Sequence, residues 1–192
     1  MEKTKLNVRD FITIGVISAI AVVLFMVIGS IVGMTPIGWI FNHSVLAIPF
    51  GILYMLLYAK VPKKGVVLIS SLVFGLVMLM NNWIIPSIIA VVAIINELIW
   101  RQGDQKRFSK MVVSFTIMMA GWMMASFGPL VILKDTYMNM LRGDPAYFQT
   151  AYDSLTGTLG IIALISVVVS SIIGAFLGRA ILKKHFEKAG IV

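Results

Sequence analysis

Ile161-Ile162-Ala163-Leu164-Ile165-Ser166-Val167-Val168-Val169 decides the fold class. A transmembrane strand alternates polarity over ~10 residues, because one of its faces meets lipid and the other the lumen. This stretch is apolar on every face. It lies inside a run at about 157–181 that has the ~20 residues a helix needs to cross a ~30 Å hydrocarbon core. Within lipid only helices and closed barrels satisfy their own backbone groups, so the run reads as a membrane helix.

Five more such runs lie upstream, at about 11–33, 38–58, 66–80, 84–100 and 108–133. The chain has 192 residues, 59% of them hydrophobic, so the runs consume nearly all of it. The expectation is an all-α integral membrane protein, one domain over 1–192 with six transmembrane helices and no separate soluble part. The first run could be mistaken for a signal peptide. It is kept as a helix because Gly29-Ser30-Ile31-Val32-Gly33 leads at once into another apolar run, not into a polar mature domain. The stretch 66–100 is too long for one span and is broken by Asn81-Asn82-Trp83 and Pro86. Paired amides, with a proline suited to a first helical turn, predict a tight turn between two short helices. The other reading, one tilted span with a re-entrant piece, would break the charge pattern.

That pattern is one-sided. Of the sixteen Lys and Arg residues, fourteen fall at one level: Lys3, Lys5 and Arg9 before the first run, Lys60, Lys63 and Lys64 between the second and third, Arg101, Lys106, Arg107 and Lys110 between the fourth and fifth, and Arg179, Lys183, Lys184 and Lys188 after the sixth. The other loops hold only Lys134 and Arg142. The positive-inside rule then places both termini and both basic loops in the cytoplasm of a multi-pass protein of the cell membrane. The +8 charge is an orientation signal, and no nucleic-acid partner is needed to explain it.

Chemistry-bearing residues are few. There is no cysteine, hence no disulfide and no thiolate metal site. No pair of His or carboxylate residues offers a metal cage, so neither a metal nor a cofactor is expected, and methionine runs such as Met118-Met119 and Met123-Met124 read as gap fillers. Ser114, Ser126, Ser166 and Ser170 lie in apolar runs with no second intramembrane histidine or aspartate to activate them. They are expected to bond backbone carbonyls between helices, and no enzyme is expected. Glu97 is the one acid well inside an apolar run, and an i,i+4 pair with Arg101 accounts for it. A small secondary transporter would want more acids at depth. A non-transporting membrane scaffold would leave the aromatic loop at 134–156 unexplained. That loop carries Asp135, Asp144, Asp153, Tyr137, Tyr147, Phe148 and Tyr152 and is partly helical in pattern, as in a lid. On the first helix Gly15, Ser18 and Ala19 form a narrow ridge that another helix can approach closely, and Gly174 and Gly178 form a second on the last helix.

Three segments carry a resemblance: Leu6-Asn7-Val8-Arg9-Asp10-Phe11-Ile12-Thr13-Ile14-Gly15, the exit Asn96-Glu97-Leu98-Ile99-Trp100-Arg101, and the tail from Gly178-Arg179-Ala180 through Lys183-Lys184-His185-Phe186-Glu187-Lys188-Ala189-Gly190. Together they resemble the MptD (Trep-Strep) group of S components of energy-coupling factor (ECF) transporters. The small-residue motif of those proteins is usually Ala-x-x-x-Ala and here reads Gly15-Val16-Ile17-Ser18-Ala19. The resemblance implies a substrate-binding membrane protein of an ABC importer. It would capture a micronutrient at the outer face, dock through its first helix (Gly15, Ser18, Ala19) on an ECF T component, and deliver the ligand inward with two ABC ATPases. No Gly-x-x-x-x-Gly-Lys-Ser/Thr cradle occurs, so ATP chemistry would belong to those partners.

The substrate-binding site is then expected at the outer end. Its candidates are Trp39, Asn42 and His43 at the start of the second run, Asn81, Asn82 and Trp83 at the turn, and Tyr137, Tyr147, Tyr152 and Asp153 in the long loop. Trp and Tyr also belong at membrane interfaces for their own sake. Asn42 and His43 stand out because polar side chains entering an apolar helix must face the bundle or water. His43 could bond a ligand, coordinate a metal-bearing ligand such as a porphyrin, or bond a neighbouring helix.

Overall fold

The computed structural model describes residues 5–186. Lys3, Lys188 and the end of the tail invoked above lie outside them. Every regular element among the described residues is helical: α1 (Val8–Val32), α2 (Pro36–Lys60), α3 (Val66–Met78), α4 (Ile84–Trp100), α5 (Phe108–Ile132), α6 (Lys134–Met138), α7 (Pro145–Thr156) and α8 (Thr158–Ile181), followed by a π-helical turn at Leu182–Phe186. Four of them, α1, α2, α5 and α8, are long and apolar enough to cross a membrane. The third and fourth expected spans are shorter than the rest. With 13 and 17 residues, α3 and α4 rise only roughly 20 and 26 Å.

Local chemistry sets the boundaries. The Asn7 side chain accepts from Asp10 N–H at 3.0 Å while the Asp10 carboxylate accepts from Asn7 N–H at 2.7 Å, a capping box that starts α1. Thr35 accepts from Gly38 N–H at 3.0 Å, and Pro36 fills the first turn of α2. The expected turn between α3 and α4 is present. Asn82 closes it by accepting from Ile84 and Ile85 N–H at 3.0 and 3.1 Å.

The second helix is the axis of the bundle. It lies against α8 so closely that glycine is required on both sides. A Cβ on Gly51 or Gly174 would overlap the facing backbone, and one on Gly178 would stand 2.6 Å from the Gly51 carbonyl oxygen. Small residues here do what they do in membrane bundles, letting backbones meet and gain dispersion contacts. The ridge on α1 differs. Gly15 and Ala19 are exposed, a Cβ on Gly15 would meet nothing within 4 Å, and only Ser18 turns into the interior. Of the two small-residue ridges, α8 uses its own internally and α1 leaves Gly15 and Ala19 outward. Between α2, α3 and α5 the core is aromatic, with Phe74 stacked on Trp122 at 3.8 Å and Phe50 and Tyr54 edge-on to the same indole.

At the end that carries the basic loops, Glu97 is 3% exposed and does more than pair with Arg101 at 2.9 Å. It also accepts from Gly65 N–H at 2.6 Å and Leu68 N–H at 3.3 Å. The first turn of α3, headed by Gly65 at φ +97° and lacking a side-chain cap of its own, is thus capped from α4. Trp100 Nε1–H donates to the Lys63 carbonyl at 3.0 Å, and the Lys63 ammonium reaches Asp10 at 2.6 Å, tying α1 to the same knot. Among the described residues the serines of the apolar runs do not bond carbonyls of other helices as expected, and Ser114 Oγ is buried without a partner. Ser126 and Ser166 donate to carbonyls of their own helices, Trp122 and Ala163, at 3.0 and 2.8 Å, though Ser166 also meets Ser44 of α2 at 2.6 Å.

Candidate ligand cavity

At the end opposite the basic loops, the chain between α5 and α8 folds back over the bundle. Tyr137 of α6 is buried and donates to the Ser126 carbonyl at 3.1 Å, with Met138 and Leu141 packed on the core beside it. Asp144 caps α7 by accepting from Ala146 N–H at 2.9 Å. Tyr147, in the first turn of α7, donates to the Gly33 carbonyl at 2.6 Å and lies 3.1 Å from that of Thr35. A single phenol therefore fastens the roof to the turn between α1 and α2. Burial raises the Tyr147 hydroxyl above its ordinary value, so it is a donor throughout the physiological range.

Beneath this roof lies a cavity of about 370 Å³. Gly29, Ser30 and Gly33 at the end of α1 form one wall, Met80 and Asn81 of the α3–α4 turn a second, and Trp39 of α2 a third. Met140, Leu141, Arg142, Tyr147 and Phe148 cover it. The Trp39 indole stands edge-on to Phe148 at 5.6 Å and Phe127 at 4.9 Å and tilts against Tyr147 at 5.9 Å, so the aromatic wall is held by its own neighbours. Asn42 sits just behind Gly29, where an added Cβ would press on its amide nitrogen at 3.3 Å. Its Oδ1 is buried without a hydrogen-bond partner. Arg142 is exposed at the cover and belongs to no ion pair among the described residues.

Of the residues expected from sequence, Trp39, Asn81 and Tyr147 line this cavity and Asn42 backs it. His43 goes elsewhere: it is 5% exposed, its Nε2 lies 3.4 Å from Ser126 Oγ, and its ring is edge-on to Phe127 of α5 at 5.5 Å. Of its three readings, the bond to a neighbouring helix matches this placement, although Nδ1 is left without a partner. Asn82 is spent on capping α4. Its Nδ2 is left buried without a hydrogen-bond partner; burial raises the Tyr137 hydroxyl above its ordinary value. Trp83 is 65% exposed on the outside of the turn. Tyr152 lies under the Lys134 ammonium at 4.1 Å, and Asp153 is exposed and accepts from Gln149 at 2.8 Å. Among the described residues no group of three His, Asp or Glu side chains could hold a metal.

Of the lining residues, Gly29 and Arg142 were outside the expected site, and Phe148 was expected only as part of the lid-like loop. Arg142 carried a signal, since it is one of only two cations on its side of the charge pattern. Over residues 8–188 the chain matches the family described as hypothetical bacterial integral membrane protein (Trep_Strep). The chain belongs to this family. No curated protein and no solved structure matches it. Membership establishes an integral membrane protein, in keeping with the four long apolar helices.

Proposed function

We propose that this Trep_Strep chain is the substrate-binding S component of an ECF-type importer, taking a micronutrient such as a vitamin or its precursor at the outer face. The observation that carries the reading is the roofed cavity opposite the basic loops. It has an aromatic wall from Trp39, Tyr147 and Phe148, with Asn81, Arg142 and Ser30 among its polar residues. Concave, largely preformed sites with a few placed polar groups are how proteins hold small molecules. Trp39 and Phe148 would cover the flat part of the ligand, and Arg142 and Asn81 would orient its polar part.

In this reading both termini are cytoplasmic and the chain crosses six times. The α3–α4 hairpin crosses as two short helices with polar ends, Lys63 and Lys64 with Arg101 on one side and Asn81-Asn82 on the other. Gly15 and Ala19 form the surface that docks on the T component, and two ABC ATPases drive release inward. The outward, unfilled setting of Gly15 supports that assignment, because a docking surface must be free in the separate protein.

The test is co-purification from the native membrane, followed by mass spectrometry of extracted small molecules. Recovery of a T component and two ATPases, with a compound lost on Trp39→Ala, is the expected result. Recovery of the chain alone, with its partner genes expressed, sinks the assignment.

A further inference from the structure

A second cavity, of about 350 Å³, opens at the end that carries the basic loops, between the close of α2, the start of α5 and the close of α8. Its lining has two halves. Lys106, Arg179 and Lys183 supply positive charge, and no Asp or Glu is among the lining residues. Met55, Ala59, Phe108, Met111 and Leu182 supply an apolar wall. The Arg179 guanidinium lies 4.4 Å above the Phe108 ring, which holds it in place while leaving its N–H edge available. Phe108 is itself braced edge-on against Phe176 at 5.2 Å. Neither Arg179 nor Lys183 forms an ion pair among the described residues.

The apolar half continues outward. Ile172 and Phe176, about two turns and one turn before Arg179 on the same face of α8, are 40% and 56% exposed. A water-soluble anion would have no use for such a surface, whereas a lipid presents an anionic head and an apolar tail in this order. Arg179 and Lys183, two cations at the mouth of an apolar cleft between membrane helices, suit the anionic phosphodiester of an acidic phospholipid by sign and by position. We propose that this cavity is a binding site for the headgroup of an anionic phospholipid, with Arg179 and Lys183 on the phosphate and the acyl chains along Phe176 and Ile172. The site is separate from the roofed cavity at the other end, and it stands whether or not the chain serves an importer.

The purified chain would be titrated with phosphatidylglycerol and with phosphatidylcholine, and adducts counted by native mass spectrometry. Phosphatidylglycerol should be retained in clear preference. Each cation removed near an anionic surface should cost about fivefold, so Arg179→Gln and Lys183→Gln singly should weaken the preference and together nearly abolish it. Lys64→Gln, which removes an exposed charge outside the cavity, should leave it intact. Equal retention of the two lipids by the unaltered protein overturns the proposal without recourse to any variant. So does a preference that survives the double substitution. A third arm adds inorganic phosphate at millimolar concentration: if phosphate binds the cavity and phosphatidylglycerol is not preferred, the occupant is a free anion and the lipid assignment fails.

Discussion

Glu97, near the close of α4, is a buried acid. Its carboxylate serves two backbone N–H groups from another helix as well as Arg101. Arg101 is half exposed and its ion pair contributes little. The amides matter more, since a buried donor left unpaired costs about 1–3 kcal/mol. Glu97→Ala is therefore expected to lower stability by about 3 kcal/mol, and Arg101→Ala by less than about 1 kcal/mol. Thermal unfolding in detergent measures both, and equal small effects would contradict the capping role. Tyr147 allows a second test. Tyr147→Phe removes the hydrogen bonds to the α1–α2 turn, worth about 0.5–1.5 kcal/mol. It should speed amide exchange across α7 while leaving α2 and α8 protected. Because burial raises this hydroxyl above 10.0, the fastening is complete below that value. It is lost as pH rises through the raised value, so exchange in α7 at pH 9 should match that at pH 7 after correction for intrinsic rate. Other residues were less readable. Sequence shows that Asn42 and His43 are polar in an apolar helix, but they are adjacent and point about 100° apart, so which one meets a cavity depends on how α2 is rotated. Arg142 is not readable as a site residue from sequence, because a lone loop cation is also what the orientation rule counts.

Helix identity and approximate extent were legible for the six apolar runs, because run length and apolar character act locally, whereas α6 and α7 were legible only as a loop partly helical in pattern. The break at Asn81-Asn82-Trp83 was legible for the same reason. What each small-residue ridge faces was not, since Gly-x-x-x-small spacing permits close approach without naming the partner. The structure separates the two cases and makes a paired prediction. Gly174→Leu would drive a side chain into the α2 backbone and should cost about 1–3 kcal/mol or more, with loss of folded yield on size-exclusion chromatography. Gly15→Leu enters open space and should keep yield and melting temperature within error while reducing association with a partner helix. If Gly15→Leu unfolds the protein, the outward setting of that face is wrong. If it folds and still assembles fully, the α1 ridge is not a docking surface.

For the molecule as a whole, the charge pattern makes the orientation testable with few probes. In this cysteine-free chain, a cysteine at Asp144 should react with an impermeant thiol reagent in intact cells, and one at Asp104 should react only after the membrane is opened. The reverse pattern would put the roofed cavity on the cytoplasmic side and end the importer reading. Both acids are exposed, so burial does not complicate the comparison.

The cap that α4 places on α3 also has a consequence for synthesis. Gly65 and Glu97 are 32 residues apart, so the head of α3 is made well before the group that seals it. With only 13 residues and no seal of its own, α3 is a poor candidate to leave the translocation channel alone. If the α3–α4 hairpin crosses the membrane as proposed, α3 is expected to wait in the channel until α4 has been translated, so that the two enter lipid as one piece.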